Sequence, residues 1–463
     1  MRRRAARALP VLLALLLPEV TGCARSASSS SPPRADPVPS PSAPLFRDVA
    51  HSAGLDFRWG PRDPAGLTIR DMMGFGCAFL DYDGDGKLDI LLVAKDHVEL
   101  YRNRGDGTFE NVTARAFPNV PRKRYLMGCS VCDYDGDGRP DIFVTGYGRT
   151  ILYHNEGNGT FKDVTKGSGL EARGPYDWTT GAAWADLDGD GRPDLYVCRY
   201  VLFTPSTRPF CHFKALDGSD LVMTCGPAEY KPEIGSLYRN EGQGRFRDIT
   251  REAGLADAHG KGLGCRFCDF NGDGRPDLFI ANDQVAQDLY LNLGGGRFRN
   301  IAAEAGVAFG SDGGPLAGMG VDWGDYDNDG KFDLLVASFS GLPKALFHNE
   351  SGTLFVDESA TAGIRAPSLT SLTFGADFVD VENEGLLDIV LFNGHVQALI
   401  EKADATTAYY QSALLFHNQG DGRFRDISAA AGPDFTQKIV GRGVAVGDYD
   451  NDGREDLLVV NAE

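Results

Sequence analysis

The stretch Asp81-Tyr-Asp-Gly-Asp-Gly-Lys-Leu-Asp89 decides the fold. It places carboxylates at loop positions 1, 3, 5 and 9: Asp81, Asp83, Asp85 and Asp89. Carboxylates at alternate positions of a tight loop turn their oxygens toward one centre, the arrangement that a hard cation requires. Gly86 at position 6 permits the positive φ of a sharp turn. The carbonyl of Lys87 is the expected fifth ligand. Left unpaired, charges this close repel, so the stretch reads as a calcium cage. An apolar run, Ile90 to Val93, follows at once and reads as a strand.

The pattern returns six more times. The second copy offers Asp133, Asp135, Asp137 and Asp141 with the carbonyl of Arg139. The third offers Asp186, Asp188, Asp190 and Asp194 with Arg192. The fourth substitutes one amide, giving Asp269, Asn271, Asp273 and Asp277 with Arg275. The fifth has Asp325, Asp327, Asp329 and Asp333 with Lys331. The sixth, Asp380, Glu382, Glu384 and Asp388, carries longer side chains that crowd a tight cage, and is expected to be weak or empty. The last has Asp448, Asp450, Asp452 and Asp456 with Arg454. EF-hand loops open in the same way but carry a bidentate Glu at position 12 and lie between helices. Here position 12 is Leu92 or Val144, inside the next strand, which excludes that reading.

Around each loop lies a repeated unit. In the first copy, Gly76–Leu80 is a strand into the loop and Asp89–Ala94 a strand out. Leu100-Tyr-Arg-Asn103 is a third strand, and Phe109–Thr113, after the Gly105-Asp-Gly107 turn, is a fourth. Four short strands per unit and seven acidic loops predict an all-β, seven-bladed β-propeller with calcium loops between the first and second strands of each blade. The last copy has only its first two strands. Leu45–Val49 reads as a fourth-strand motif and is expected to close the ring by pairing with the last blade, which would remove exposed edges.

With these motifs in place, the chain resembles the FG-GAP/VCBS-repeat proteins, including integrin α propellers. It is similar in particular to the bacterial ASPIC/UnbV-bearing relatives of cartilage acidic protein. Cys225-Gly-Pro227, Ala281-Asn-Asp283, Asn393-Gly-His-Val396 and Gly441-Arg-Gly443 carry that closer likeness. The resemblance covers nearly all of residues 44–463. It implies a further strand and an ASPIC/UnbV domain after that point, neither of which this sequence includes.

The first residues read as an export signal. Arg2 to Arg4 and Arg7 are basic, and Ala8–Val20 is apolar but too short to span a bilayer. Val20-Thr-Gly-Cys23 resembles a bacterial lipobox, implying cleavage after residue 22 and lipidation of Cys23. Residues 24–43 are rich in Ser and Pro and read as a tether, so that 23–43 links the anchor to a single domain at 44–463. The expected location is therefore the cell envelope, as an outer-membrane or surface lipoprotein.

The formal charge is −19. The loops account for it: four carboxylates in each of six copies and three in the fourth make twenty-seven, and without them the balance would be +8. Acidity therefore belongs to the metal loops rather than to a cationic partner, and no basic patch supports nucleic-acid binding. About six or seven calcium ions are expected.

Of nine cysteines, eight besides Cys23 remain to be placed. Cys77, Cys129, Cys132, Cys265 and Cys268 precede loops and read as small core residues. Cys211 and Cys225, both in a long insertion, are expected to form a disulfide, with Cys198 free. His154, His348 and His417 share one repeat position in different blades and cannot converge on one metal. No catalytic motif appears, and the chain is read as a non-enzyme. The longer loops, at 199–234, 281–288, 338–344 and 393–412, gather on the face opposite the calcium loops. Asn282, Asp283, Asn393 and His395 there are the weak candidates for contact with a protein or carbohydrate ligand. The expected function is a calcium-stabilised binding or adhesion module. The alternative is an envelope enzyme with a site on the loop face or in the central channel.

Overall fold

The computed structural model describes residues 44–58, 68–118, 125–207 and 210–462. The export signal, Cys23 and the Ser/Pro tether lie outside the described residues. Six four-stranded antiparallel sheets follow one another along the chain. The first holds β1 (Cys77–Leu80), β2 (Asp89–Val93), β3 (Val98–Asn103) and β4 (Phe109–Asn111). The second holds β5 (Tyr125–Cys132), β6 (Asp141–Tyr147), β7 (Ile151–Asn155) and β8 (Phe161–Asp163).

The third holds β9 (Thr179–Ala185), β10 (Asp194–Arg199), β13 (Ser236–Gly242) and β14 (Arg245–Asp248). A separate hairpin, β11 (Phe210–Lys214) and β12 (Asp220–Thr224), is inserted in it. The fourth comprises β15 (Gly262–Cys268), β16 (Asp277–Asn282), β17 (Asp288–Asn292) and β18 (Phe298–Asn300). The fifth comprises β19 (Val321–Gly324), β20 (Asp333–Val336), β21 (Ala345–Asn349) and β22 (Phe355–Asp357). The sixth comprises β23 (Thr373–Val379), β24 (Asp388–Asn393), β25 (Leu414–Asn418) and β26 (Phe424–Asp426).

The expected seventh blade does not form, and the fold is a six-bladed propeller. The last acidic loop joins only a two-stranded ribbon, β27 (Gly441–Gly447) and β28 (Asp456–Asn461). An acidic loop specifies only the two strands that it joins. The Leu45–Val49 segment also does not pair with β28: its backbone is not a strand, and Phe46 N–H donates to the Ala431 carbonyl at 2.9 Å instead.

The first strands of the six sheets and β27 pack side by side in a closed ring. Glycine makes that approach possible. Gly76, Gly128, Gly181, Gly264, Gly320, Gly375 and Gly443 each stand five residues before an acidic loop. A methyl on Gly128 would lie 2.9 Å from the Thr180 carbonyl oxygen, on Gly181 2.7 Å from that of Leu263, and on Gly375 2.8 Å from that of Arg442. Each side chain would meet the backbone of the next first strand round the ring, so only a residue without Cβ fits.

The core lies between sheets rather than at one centre. Leu91, Val93 and Leu100 of the first sheet pack on Ile142 and Val144 of the second. Phe279 and Leu289 of the fourth pack on Leu334 and Val336 of the fifth. Second strands are buried on both faces, as every residue of β2, β10, β16, β20 and β24 shows. This matches the apolar run that follows the opening Asp of each.

Candidate metal centres

Each acidic loop connects a first strand to a second, which places all seven on one side of the ring. The turn is set by Gly86 at φ +80° and Gly84 at φ +72° in the first copy. Asn328, Asn383 and Asn451 take the second of these places, at φ +57° to +59°, because Asn tolerates the left-handed region better than most residues.

The position-1 carboxylate organises the loop. Asp81 accepts the amides of Asp85 at 3.0 Å and Gly86 at 2.9 Å, and the same pair of bonds recurs at Asp133, Asp186, Asp269, Asp325, Asp380 and Asp448. Position 9 ties the loop to the sheet. Asp89 accepts the amide of Tyr82 at 3.0 Å and that of Asn103, at the end of β3, at 2.7 Å. Burial pushes the carboxyls of Asp89, Asp141, Asp277, Asp333 and Asp388 up to about 7, and those of Asp194 and Asp456 to about 6. Neighbouring carboxylates add to the effect at most of them. The Oδ2 of Asp277 is buried and has no hydrogen-bond partner.

Ligand-bearing oxygens converge as the spacing requires. One oxygen from each of Asp81, Asp83 and Asp85 lies within 4.8 Å of the others, as do those of Asp133, Asp135 and Asp137. An all-oxygen donor set, an unpartnered buried carboxylate oxygen and carboxyls made costly to ionise by one another all fit a hard divalent cation.

The position-7 residues, expected to offer carbonyls, also use their side chains. Lys87 Nζ lies 2.8 Å from Asp85 Oδ2. Arg139, Arg192, Arg275 and Lys331 reach Asp137, Asp190, Asp273 and Asp329 in the same way, and Arg454 lies 3.1 Å from Asp452.

A second position, read in the sequence only as a shared repeat position, borders the loops as well. The residue before the third-strand Asn folds back over its own loop. Arg102 Nε lies 2.5 Å from Asp83, and Arg239 pairs with Asp188. His154 Nδ1 is 3.4 Å from Asp135 and 3.2 Å from Asp141. His348 stands likewise over Asp327 and Asp333, and His417 over Glu382 and Asp388. The three histidines do not meet one another, but each borders the cage of its own blade. The signal was present in one contrast: where position 3 is the neutral Asn271, the overhanging residue is the neutral Leu291.

The opposite face differs from expectation. Asn282, Asp283, Asn393 and His395 are all buried and hold loops in place. Asn282 donates to Asp288 at 2.8 Å, Asp283 accepts the Tyr200 hydroxyl at 2.6 Å, and Asn393 accepts that of Thr373 at 2.6 Å. His395 Nδ1 accepts the Gln397 amide at 3.0 Å, and burial followed by the nearby Arg442 lowers its pKa to about 4.

A disulfide joins Cys211 to Cys225, while Cys77, Cys129, Cys132, Cys198, Cys265 and Cys268 are free thiols. The disulfide-bearing hairpin β11–β12 reaches the 393–412 loop, where Leu216 N–H donates to the Lys402 carbonyl at 2.8 Å. Leu216, Val222, Leu399 and Tyr410 remain exposed in this region. On the inner strands, Arg266 bridges two carboxylates, 3.2 Å from Asp377 and 3.6 Å from Asp322.

A ring of antiparallel sheets with an acidic loop after each first strand defines a class, and comparison agrees. The FG-GAP-like repeat model matches residues 81–144, 133–197, 217–280, 269–336 and 401–459, and the chain belongs to that family. It is homologous to cartilage acidic protein 1, being 25% identical to the Mus musculus protein over 410 residues, 84% of this chain and 58% of that one. The Homo sapiens protein is also 25% identical, over 84% of this chain and 56% of its own length. The chain thus spans somewhat over half the length of these curated relatives. Among solved structures, an Agrocybe aegerita lectin that recognises non-reducing terminal N-acetylglucosamine aligns with a TM-score of 0.42 and 16% identity, over 84% of this chain and 86% of that one.

Proposed function

We propose that the chain is an exported, calcium-stabilised binding or adhesion module of the cell envelope, anchored through a lipid on Cys23. Calcium is structural in this reading. The observation that carries it is the sevenfold repetition of the acidic loop, with carboxylates that converge in the first two copies, each position-1 carboxylate locked by loop amides and position 9 joined to the third strand wherever a full sheet forms. A divalent ion offsets their mutual repulsion, and the Lys, Arg and His side chains now bordering the loops turn outward when it binds.

The module acts without catalysis. Its partner is a protein or carbohydrate that meets the face opposite the acidic loops, where the exposed apolar side chains of the hairpin and the 393–412 loop lie together. The enzyme alternative draws on one polar group spanning three sheets, Arg266 with Asp322 and Asp377. Its charges answer one another, as in a structural ion pair.

Calorimetric calcium titration tests the reading. We expect uptake at six loops, with affinities on the order of 10⁻⁴ M or tighter. The Glu382→Asp, Glu384→Asp double variant is expected to add one more ion, because shorter side chains relieve the crowded sixth loop. Absence of calcium uptake would overturn the proposal.

A further inference from the structure

The sixth acidic loop departs from the other copies in its chemistry. Positions 3 and 5 are Glu382 and Glu384 where the others have Asp or Asn, and position 7 is Leu386 where every other copy has Lys or Arg. In those copies the position-7 side chain pairs with the position-5 carboxylate. In the sixth, among the described residues, no Lys or Arg pairs with any of the four carboxylates. The basic side chain that meets them is His417, on β25.

Two carboxylates and this imidazole converge. Asp388, buried at the start of β24, accepts the Val381 amide on Oδ2 at 3.3 Å and the Asn418 amide on Oδ1 at 2.7 Å. Those bonds fix the carboxylate and leave Oδ1 a further lone pair. His417 Nδ1 lies 3.2 Å from that Oδ1 and 3.4 Å from Oε2 of Glu382. It forms a hydrogen bond with neither, and is a buried nitrogen without a partner. One donor atom from each of Glu382, Asp388 and His417 lies within 4.8 Å of the others. A nitrogen that faces two carboxylate oxygens without bonding to them shares their focus.

The spacing selects the kind of ion. Donors held at about 2.0–2.1 Å by a tetrahedral ion stand about 3.3–3.4 Å apart, close to the two distances seen here. Calcium wants a larger shell made of oxygens alone, and the Glu side chains crowd that shell in this loop. Imidazole joined with carboxylates suits zinc and its neighbours in the first transition row. Two carboxylates balance a divalent charge, and a neutral imidazole adds none. The side chain of Glu382 is 37% exposed, so water can reach a fourth position.

The same triangle recurs at His154 and His348. In those loops, however, position 3 is the shorter Asp and the position-5 Asp is held by Arg139 or Lys331, so the compact all-Asp set that suits the harder ion is intact. The sixth loop is where the nitrogen-bearing set is the better one.

We propose that the sixth loop is a site for a borderline divalent transition ion such as Zn²⁺, held by Glu382, Asp388 and His417 with water completing the shell. The chain then carries two chemically distinct classes of metal loop. The zinc site stands or falls separately from calcium uptake at the other loops.

The test uses the full chain in excess calcium, with Zn²⁺ as the calorimetric titrant and Co²⁺ as the spectroscopic probe. Uptake of a single Zn²⁺ is expected. His417→Ala and Glu382→Gln should each weaken it roughly tenfold or more, whereas His154→Ala should leave it unchanged. Bound Co²⁺ should show the strong visible bands of a four-coordinate site without thiolate charge-transfer bands, which separates this site from the free cysteines. Circular dichroism checks the fold of each variant, and the partly exposed Glu382 provides a variant that does not disturb the core. No zinc uptake in excess calcium, uptake unchanged in Glu382→Gln, or thiolate bands accounting for the bound cobalt would overturn the proposal.

Discussion

Replacing Gly76 by Ala probes the ring of first strands at one point. The new methyl would lie 2.8 Å from both Cys129 N and Gly128 Cα and 3.1 Å from Gly128 C. All three are backbone atoms of the neighbouring first strand, so no side chain can rotate away. Relief requires the two strands to part by several tenths of an ångström. Parting them strains the bond from Gly76 N–H to the Met127 carbonyl, now 2.8 Å. Overpacking of this kind costs about 1–3 kcal/mol, and loss of the bond adds about 1 kcal/mol. The expected destabilisation is thus about 2–4 kcal/mol, read from the midpoint of urea unfolding at unchanged slope. Gly174→Ala is the control, since nothing lies within 4 Å of its added methyl. It should shift stability by no more than about 0.5 kcal/mol. Equal stability of the Gly76→Ala variant and the parent would refute the close-approach argument for all seven glycines.

Two further substitutions test other parts of the account. Asn349→Ala removes donors to Phe270 and Phe332 and an acceptor for the Gly352 amide, all at a fully buried residue. It should cost about 3 kcal/mol in denaturant unfolding. A loss below about 1 kcal/mol would mean that the asparagine does not join the fourth and fifth sheets. His395 is buried in its neutral form, with a pKa of about 4 against about 6.5 when unfolded. The unfolded chain therefore takes up the proton first. This contribution is complete above pH 6.5 and is lost as pH falls toward 4, by about 3 kcal/mol. His395→Gln should flatten the stability profile between pH 6.5 and 4 relative to the parent, and an unchanged profile would refute the assignment.

The all-β repeat was legible because a rigid chemical pattern marks every unit. The acidic loop fixes the turn between the first two strands, and Leu-aromatic-x-Asn followed by Phe fixes the outer pair. Counting loops, however, overcounted blades. A loop specifies only the two strands it joins, so Asp448–Asp456 yields a ribbon where its neighbours yield sheets. Leu45–Val49 has the fourth-strand pattern and takes that register against Ala431, but without a third strand beside it no ladder forms. The ring glycines were visible at a constant spacing, though their reason, contact with the next strand round, appears only in three dimensions. The polar residues of the opposite face misled because polarity does not report exposure. Asn282 and Asn393 satisfy buried backbone and side-chain groups within their own loops. Arg102 and His154 share a repeat position that was visible, but their place over their own cages was not, because the third strand that carries them is distant in sequence from the carboxylates they overlie.

The central claim is that calcium in the acidic loops holds the sheets together. The most direct measurement is thermal unfolding of the full chain in excess calcium and again in excess chelator. Each site filled at a hundred times its dissociation constant adds about 2.7 kcal/mol, so several together should raise the melting temperature by tens of degrees. Coincident transitions in calcium and in chelator would contradict the claim and leave the carboxylates at positions 1, 3 and 5 of the loops as an uncompensated acidic surface.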